Sequence, residues 1–112
     1  MAEQLCQLKK KGGGKSSPEP ELISCAYFNV TSGGQSIMSF DASDYKGKMI
    51  LTIGCAYNQT VWEIDLDNNL ATKIYETANN YKGRTNVTCS NKQISARSVS
   101  YGPGAGLWSL VQ

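Results

Sequence analysis

The stretch TVWEIDLDNNLATKIYET, residues 60–77, decides the predicted fold class. Residues 60–66 alternate with a period of two, which is typical of a strand with one apolar face. One face carries Trp62, Ile64 and Leu66, and the other carries Val61, Glu63 and Asp65. The Asp-Asn-Asn triplet at 67–69 favours a tight turn, since these residues tolerate turn geometry. Residues 70–77 are then predicted to be the returning strand of a hairpin.

This returning segment has a helical alternative. Leu70, Ile74, Ala78 and Tyr81 fall at helical spacing, so residues 69–82 are also compatible with one short amphipathic helix. We favour the strand because a tight turn precedes the segment and because Thr, Ile and Tyr have high strand propensity.

Short apolar segments separated by Gly, Asn and Asp turns continue along the chain and predict further strands. These segments are residues 22–30, 36–40, 49–55, 85–89 and 93–101, with 107–111 docking into the core. The nearly continuous apolar run MILTIGC (49–55) predicts a central strand buried on both faces, and GPGAG (102–106) predicts a break. We therefore expect residues 22–112 to form one all-β domain, a small antiparallel sandwich or barrel.

The first 21 residues differ in composition and are predicted to be a flexible basic arm. KKKGGGKSSPEPE (9–21) resembles a phosphate-binding loop, but the first glycine of that motif would fall at Lys9. Pro18 and Pro20 also prevent the helix whose N-terminus would bind a phosphate. Residues 1–15 carry four lysines and one glutamate, whereas the rest of the chain carries seven basic and eight acidic residues, a net charge of −1. The body is therefore not a basic surface for nucleic acid.

The cysteines predict a disulfide-stapled domain. Cys6, Cys25, Cys55 and Cys89 are an even number in a short chain and allow three pairings. We favour Cys25 with Cys89, which would join the first strand to a late one, and Cys6 with Cys55. The alternative is zinc, but the chain has no C-x-x-C motif and no histidine. We therefore expect no metal and no cofactor.

Three Asn-X-Thr triplets add to the cysteines in predicting a secreted glycoprotein. The possible acceptors are Asn29, Asn58 and Asn86. MAEQLCQL at the start has no signal-peptide character, and we interpret the chain as a mature form behind an initiator Met. A cytosolic protein with free thiols is the alternative. No apolar run is long enough to span a membrane.

The residue types argue against an enzyme. The absence of histidine removes the commonest general base and the usual Ser-His-Asp and Cys-His systems. Glu63 and Asp65 point the same way on one predicted strand, about 7 Å apart by strand rise, which suits a glycosidase. They lie on the predicted solvated face, however, so a small glycoside hydrolase is only a lesser alternative.

Binding is therefore the predicted activity. In a domain this small, we expect both tryptophans and about half of the tyrosines to be largely buried. Tyr45, Tyr57 and Tyr81 lie beside polar turns, and together with Asn58 they form the predicted binding surface. The partner class is a protein or a glycan; a glycan would make the chain a small lectin.

The segments SCAYFNV (24–30) and VTCSNKQISARSV (87–99) resemble the MAX-type effectors of plant-pathogenic fungi. Those proteins are small secreted β-sandwiches with one cysteine in the opening strand and a second late in the chain. The resemblance spans about residues 24–101, and Cys6 and Cys55 lie outside its pattern. It implies an effector- or toxin-like virulence protein that is not an enzyme and that acts by binding a host protein.

Overall fold

The computed structural model describes residues 19–30, 34–55, 58–78, 83–98 and 104–112, without the side chain of Cys55. These residues contain strands and turns and no helix. The strands are β1 (Leu22–Val30), β2 (Ser36–Asp41), β3 (Lys48–Cys55), β4 (Gln59–Asp65), β5 (Leu70–Glu76), β6 (Thr85–Ser90), β7 (Gln93–Ser98) and β8 (Gly104–Val111). The all-β prediction is confirmed. The helical alternative for 69–82 is wrong, because β5 occupies its first half. The predicted arm falls almost entirely on residues 1–18, outside the described residues.

The strands form two antiparallel sheets that pack as a β-sandwich-like fold. The larger sheet has the order β1-β8-β3-β4-β5, and the smaller has the order β2-β7-β6. The β1–β8 ladder extends beyond the strands, since Glu21 and Gln112 exchange two backbone hydrogen bonds of 2.9 and 3.0 Å. The first and last described segments of the chain are therefore held side by side at one edge of the larger sheet.

The core lies between the sheets and follows the alternation of the strands. On β3, Met49, Leu51 and Ile53 are buried, whereas Ile50 and Thr52 are only half-buried on the outer face. The prediction that this segment is a central strand is confirmed, but the prediction that both faces are buried is wrong. Both tryptophans are buried, as predicted. The other sheet contributes mainly Ile37, Met38, Val87, Cys89, Ile94 and Ala96.

Two tight turns meet at one end of the sandwich. The β6–β7 turn is made by Asn91 and Lys92, whose φ angles of 52° and 61° are both positive, as a two-residue hairpin requires. The β4–β5 turn ends at Asn69, which also has a positive φ of 55°. The backbone N–H of Asn91 donates a 2.9 Å hydrogen bond to Oδ1 of Asn69, so the two hairpins are linked across the sheets.

The last strand begins earlier than the sequence predicts. Gly104 and Gly106 fall within the predicted break, yet they belong to β8 and pair with Val30 and Phe28 of β1. Glycine is required at position 106 for a steric reason: a Cβ there would overlap the ring of Phe28 and the carbonyl oxygen of Gly54. The glycine thus allows a large core side chain to lie against the strand, and it does not end the strand.

We expect Gly106→Ala to destabilise the fold by about 1–3 kcal/mol or more, because overpacking forces core side chains or backbone to move. Gly54→Ala is the matched control, since a Cβ at this position meets Cγ of Gln59 at 3.9 Å, an ordinary contact. Urea unfolding of both variants measures the difference. Equal unfolding midpoints for the two alanine variants would contradict the close packing of Phe28 on Gly106.

Candidate functional site

The free edge of the larger sheet carries exposed apolar side chains. Among the described residues, Leu70, Ile74 and Tyr75 of β5 are 54%, 55% and 53% exposed, and Tyr27 is the other large apolar side chain so exposed. No residue of β5 is buried. Edge strands usually carry charges or prolines that prevent pairing with other chains. A mostly exposed edge strand with an apolar surface is therefore a candidate interaction site.

The register of β5 divides this edge into two parts. From Asp65↔Leu70 to Trp62↔Lys73 the pairing with β4 is regular. The register then shifts, so that Tyr75 lies opposite Val61 and Ile74 has no opposite residue. This irregularity is a β-bulge, a feature that bends the strand and redirects a side chain. It leaves Ile74 projecting beside Tyr75 at the edge.

Polar contacts hold the opposite side of β5 against the sandwich. Nζ of Lys73 lies 2.7 Å from Oε1 of Glu76 and 5.8 Å from the ring centroid of Trp62, a cation–π distance. The indole N–H of Trp62 donates a 2.8 Å hydrogen bond to Thr60. Lys73 is therefore directed toward the body, and the outer face of β5 carries Leu70, Thr72 and Tyr75.

Glu76, the single carboxylate of β5, accepts several hydrogen bonds. Its Oε2 accepts hydrogen bonds from the backbone N–H of Gly83 at 2.5 Å and from Nδ2 of Asn58 at 3.5 Å. Burial alone would raise the pKa of Glu76, but the hydrogen bonds and the charge of Lys73 together lower this pKa from its ordinary value. The carboxylate therefore remains ionised and fixes the end of β5.

The two acidic residues of the alternative catalytic site, Glu63 and Asp65, make structural contacts. Glu63 and Asp65 share the outer face, as predicted, and Glu63 lies 3.8 Å from Nζ of Lys48. Oδ1 of Asp65 accepts hydrogen bonds of 3.2 Å from the N–H groups of Asp67 and Asn68. The side-chain hydrogen bond from Asn68 is the main cause of the lowered pKa of Asp65. Asp65 therefore stabilises the β4–β5 turn that positions β5.

A shallow apolar groove lies on the part of the larger sheet formed by β1, β8 and β3, away from β5. Its volume is about 340 Å³, and it is lined by Tyr27, Gly54, Ala105, Gly106 and Leu107. Tyr27 is opposite Leu107, and Leu107 is opposite Gly54, so the missing side chain of Gly54 leaves the groove open on the outer face. Among the described lining residues, only Tyr27 carries a polar side-chain atom.

Two residues of the predicted binding surface, Tyr45 and Asn58, lie in the described part of the chain, and neither is fully exposed. Tyr45 is half-buried and packs against Phe40 with ring centroids 6.2 Å apart, because the loop after β2 folds back on the core. Asn58 is only 3% exposed, and the prediction that it lies on the surface is wrong. Tyr57 and Tyr81 lie outside the described residues.

The glycosylation predictions have different outcomes by position. The side chains of Asn29 and Asn86 are exposed on β1 and β6, which leaves them accessible to a glycan. The amide of Asn58 is inside the fold, hydrogen-bonded to Glu76, which leaves no space for a glycan in the folded state.

One of the two predicted disulfides is absent. The thiol of Cys89 is free and buried, whereas Cys25 is disulfide-bonded, so the predicted Cys25–Cys89 bond is wrong. Burial raises the pKa of the Cys89 thiol, with a smaller effect of Asp65. This thiol is protonated and unreactive in the core. The predicted Cys6–Cys55 bond lies outside the described side chains.

The described part of the chain contains no cluster of three or more Cys, Asp and Glu side chains arranged to hold a metal ion. It also contains no helix of the length and hydropathy that a membrane span requires.

The exposure of Tyr27 and Tyr75 was not predicted from the sequence, although strand alternation contains the signal for Tyr27. Phe28 and Val30 are buried, so Tyr27 and Asn29 must face outward. For Tyr75, simple alternation would give the inner face, which Ala71 and Lys73 share. The register shift at Ile74 instead places Tyr75 opposite Val61 on the outer face, and no local pattern predicts this shift. Proximity to polar turns was the wrong criterion, since turn residues such as Tyr45 fold back on the core.

Comparisons with protein families, with curated proteins and with solved structures find no match for this chain in any of the three.

We expect Glu76→Gln to flatten the acid dependence of stability. Because the pKa of Glu76 is lowered in the fold, its stabilisation is present above the unfolded pKa and is lost as the pH falls through the folded pKa. Unfolding midpoints at pH 7 and pH 3 should therefore differ less in this variant than in wild type. Glu63→Gln, which removes a carboxylate from the outer face, controls for the lost charge. If both variants show the same pH slope, the role of Glu76 is refuted.

Proposed function

We propose that this chain is a secreted, non-enzymatic binding protein, effector- or toxin-like, that recognises a host protein through β5. The observation that carries the proposal is the exposure of Leu70, Ile74 and Tyr75 along a strand that ends the sheet. Binding interfaces place exposed aromatic and aliphatic side chains at their centre, and a few such residues supply most of the affinity.

Strand addition is the recognition mode that suits this edge. Within the described residues, β5 is hydrogen-bonded to β4 on one side and to no strand on the other. An extended segment of a partner can add to such an edge by main-chain hydrogen bonds. The regular stretch from Leu70 to Lys73 would pair with the partner, and the side chains of Ile74 and Tyr75 would supply apolar contacts beyond the bulge.

A lectin is the second candidate, supported by Tyr27 above the apolar groove. Sugar sites combine an aromatic surface with polar side chains that fix the orientation of the ligand. The described lining residues other than Tyr27 are glycine, alanine and leucine. This composition favours an apolar ligand over a sugar, and it makes the protein-binding proposal the stronger of the two.

Secretion is supported by the disulfide-bonded state of Cys25, because such bonds persist in oxidising compartments. The exposed acceptors Asn29 and Asn86 are compatible with passage through a secretory pathway. The resemblance to MAX-type effectors agrees with a small extracellular β-domain that acts by contact.

Charge introduced into β5 should abolish partner binding. The double variant Ile74→Asp/Tyr75→Asp removes two exposed apolar contacts, and hot-spot losses of about 2 kcal/mol or more correspond to at least about 30-fold weaker binding. Tyr27→Asp is the matched control, since Tyr27 is 52% exposed against 53% for Tyr75. Host proteins captured by wild type and by the control, but not by the double variant, would be purified and titrated.

Hydrogen exchange then distinguishes the binding mode. In a strand-addition complex, amides of β5 should exchange more slowly than in the free protein. Partners retained equally by wild type and the β5 double variant would rule out β5 as the site. A glycan array tests the lectin alternative. Sub-millimolar binding to a defined sugar that is lost in Tyr27→Asp but kept in the β5 double variant would refute the protein-binding proposal and support a lectin.

Production in a eukaryotic secretory host tests the proposal that the protein is secreted. We expect glycans at Asn29 or Asn86 and none at Asn58 in the folded product, because the Asn58 side chain is enclosed. Intact-mass and peptide mass spectrometry measure occupancy. A folded protein with a glycan on Asn58 would contradict the packing around β5, and a product retained inside the cell with every cysteine reduced would contradict secretion.

A further inference from the structure

The hydrogen bonds on the two sides of β4 show which main-chain groups of this strand point toward β5. The N–H and C=O groups of one residue in a strand point to the same side, and that side alternates along the strand. The N–H of Thr77, the residue after β5, donates a 3.0 Å hydrogen bond to the carbonyl oxygen of Gln59. The N–H of Leu66 donates a 2.9 Å hydrogen bond to Gly47, the residue before β3. The odd-numbered residues of β4 therefore face β5, and the even-numbered residues face β3.

The same alternation identifies the main-chain groups at the free edge of β5. Asp65 and Glu63 face β5, and their opposite residues are Leu70 and Thr72. The main-chain groups of Leu70 and Thr72 are therefore used in the ladder with β4. Those of Ala71 and Lys73 point away from β4, to the side on which no described strand pairs with β5. The free edge thus offers two N–H donors and two C=O acceptors in one regular stretch.

We propose that β5 pairs antiparallel with β5 of a second copy of this chain, across a two-fold axis at Thr72. In this register Ala71 of each copy lies opposite Lys73 of the other copy. Each of these two pairs exchanges two main-chain hydrogen bonds, so every free-edge group of the regular stretch is used. The two five-stranded sheets join into one continuous sheet through a contact that is the same on both copies.

The other symmetric registers use this edge less well. Main-chain hydrogen bonds form only where two edge-facing residues lie opposite each other. If Lys73 lay opposite its own copy, two ammonium groups would face each other on neighbouring strands, and directly opposite like charges are destabilising. If Ala71 lay opposite its own copy, Lys73 would have to pair with Asn69, whose positive φ of 55° belongs to the turn. The axis at Thr72 avoids both problems.

The side chains of β5 fit the same register. Thr72 lies opposite Thr72 of the second copy, a favourable cross-strand pair, and Leu70 of each copy lies opposite Ile74 of the other. Leu70 and Ile74 are 54% and 55% exposed, so their contact removes apolar surface from water. The ammonium group of Lys73 is balanced within its own copy, because it lies 2.7 Å from Oε1 of Glu76.

The register shift in β5 keeps this contact short. It follows Lys73 and ends the regular edge, so the pairing has four main-chain hydrogen bonds and two apolar contacts. A contact of this size lies at the low end of specific interfaces, and we expect a weak dimer in equilibrium with the monomer. The inference goes beyond the proposed function, since a host segment that adds to β5 must displace the second copy.

Disulfide trapping tests the register. Thr72 and its copy form a non-hydrogen-bonded pair with Cα atoms about 4.5 Å apart, a separation that a disulfide can bridge. Two thiols at this position lose two protons and two electrons to oxidised glutathione, which is reduced to thiols. Thr72→Cys should form a covalent dimer at least about tenfold faster than Thr88→Cys, because pairing raises the effective concentration of the thiols. Thr88 is a matched control, an exposed threonine on the edge strand β6. Equal rates in the two variants overturn the proposal.

A proline at position 71 tests the main-chain hydrogen bonds. The N–H of Ala71 points away from β4, so Ala71→Pro removes a free-edge donor and leaves the ladder with β4 intact. In the Thr72→Cys background, this change should reduce the crosslinking rate to that of Thr88→Cys, with folding checked by cooperative thermal unfolding. Ile74→Asp in the same background alters only an exposed side chain and should have the same effect. Rapid crosslinking in either folded variant contradicts the pairing.

Sedimentation velocity of the wild-type chain tests the dimer without any substitution. Over a dilution series the average sedimentation coefficient should rise with protein concentration, and the rise should be absent in Ile74→Asp. Purely monomeric wild type at every concentration up to about 1 mM overturns the proposal. No host protein is present in these experiments, so their failure would leave recognition of a host protein by β5 unaffected.

Discussion

The structure depends on one constraint, which is that alternate side chains of three adjacent strands must be buried against a second sheet. Leu51 on β3, Ile64 on β4 and Leu110 on β8 are fully buried at the centre of this contact. A slip of one residue in any of these strands would send its apolar set into solvent, so the register is strongly fixed. The same constraint decides which residues face outward. Tyr75 is exposed, and its position on the outer face is fixed by its pairing with Val61, whose neighbours in β4 are buried.

The two sheets have different widths, and this explains why β5 is exposed. Five strands span about 19 Å between the outermost axes, whereas three span about 10 Å. The smaller sheet buries the central strands of the larger one, and the terminal strand β5 contributes no buried residue. What holds β5 in place is therefore its ladder with β4, the turn stabilised by Asp65 and the anchoring of Glu76. Its apolar side chains remain exposed.

The sequence predicts elements well where period and turn chemistry agree. The alternation around Trp62 and the Asp-Asn-Asn turn correctly predict the β4–β5 hairpin, and residues 22–30 match β1 throughout. It predicts strand boundaries and burial less well where they depend on a residue that is distant in the sequence. The break expected at 102–106 is wrong because Gly106 makes room for Phe28, a contact between segments that are distant in sequence. Likewise, burial of Asn58 depends on Glu76, which no local pattern identifies.

The carboxylates whose pKa values are lowered in the described residues favour the proposed binding role over the glycosidase alternative. General acid catalysis at neutral pH needs a carboxyl group whose pKa is raised, so that it still holds a proton. For three carboxylates of the described residues the pKa is lowered. Hydrogen bonds from Ser43 lower the pKa of Asp41, and Asp65 and Glu76 are lowered by their own partners. Each of these groups accepts hydrogen bonds that fix a turn or a strand end. An ionised carboxylate so engaged has no proton to donate, and its role is to hold the surfaces that β5 and the outer face present.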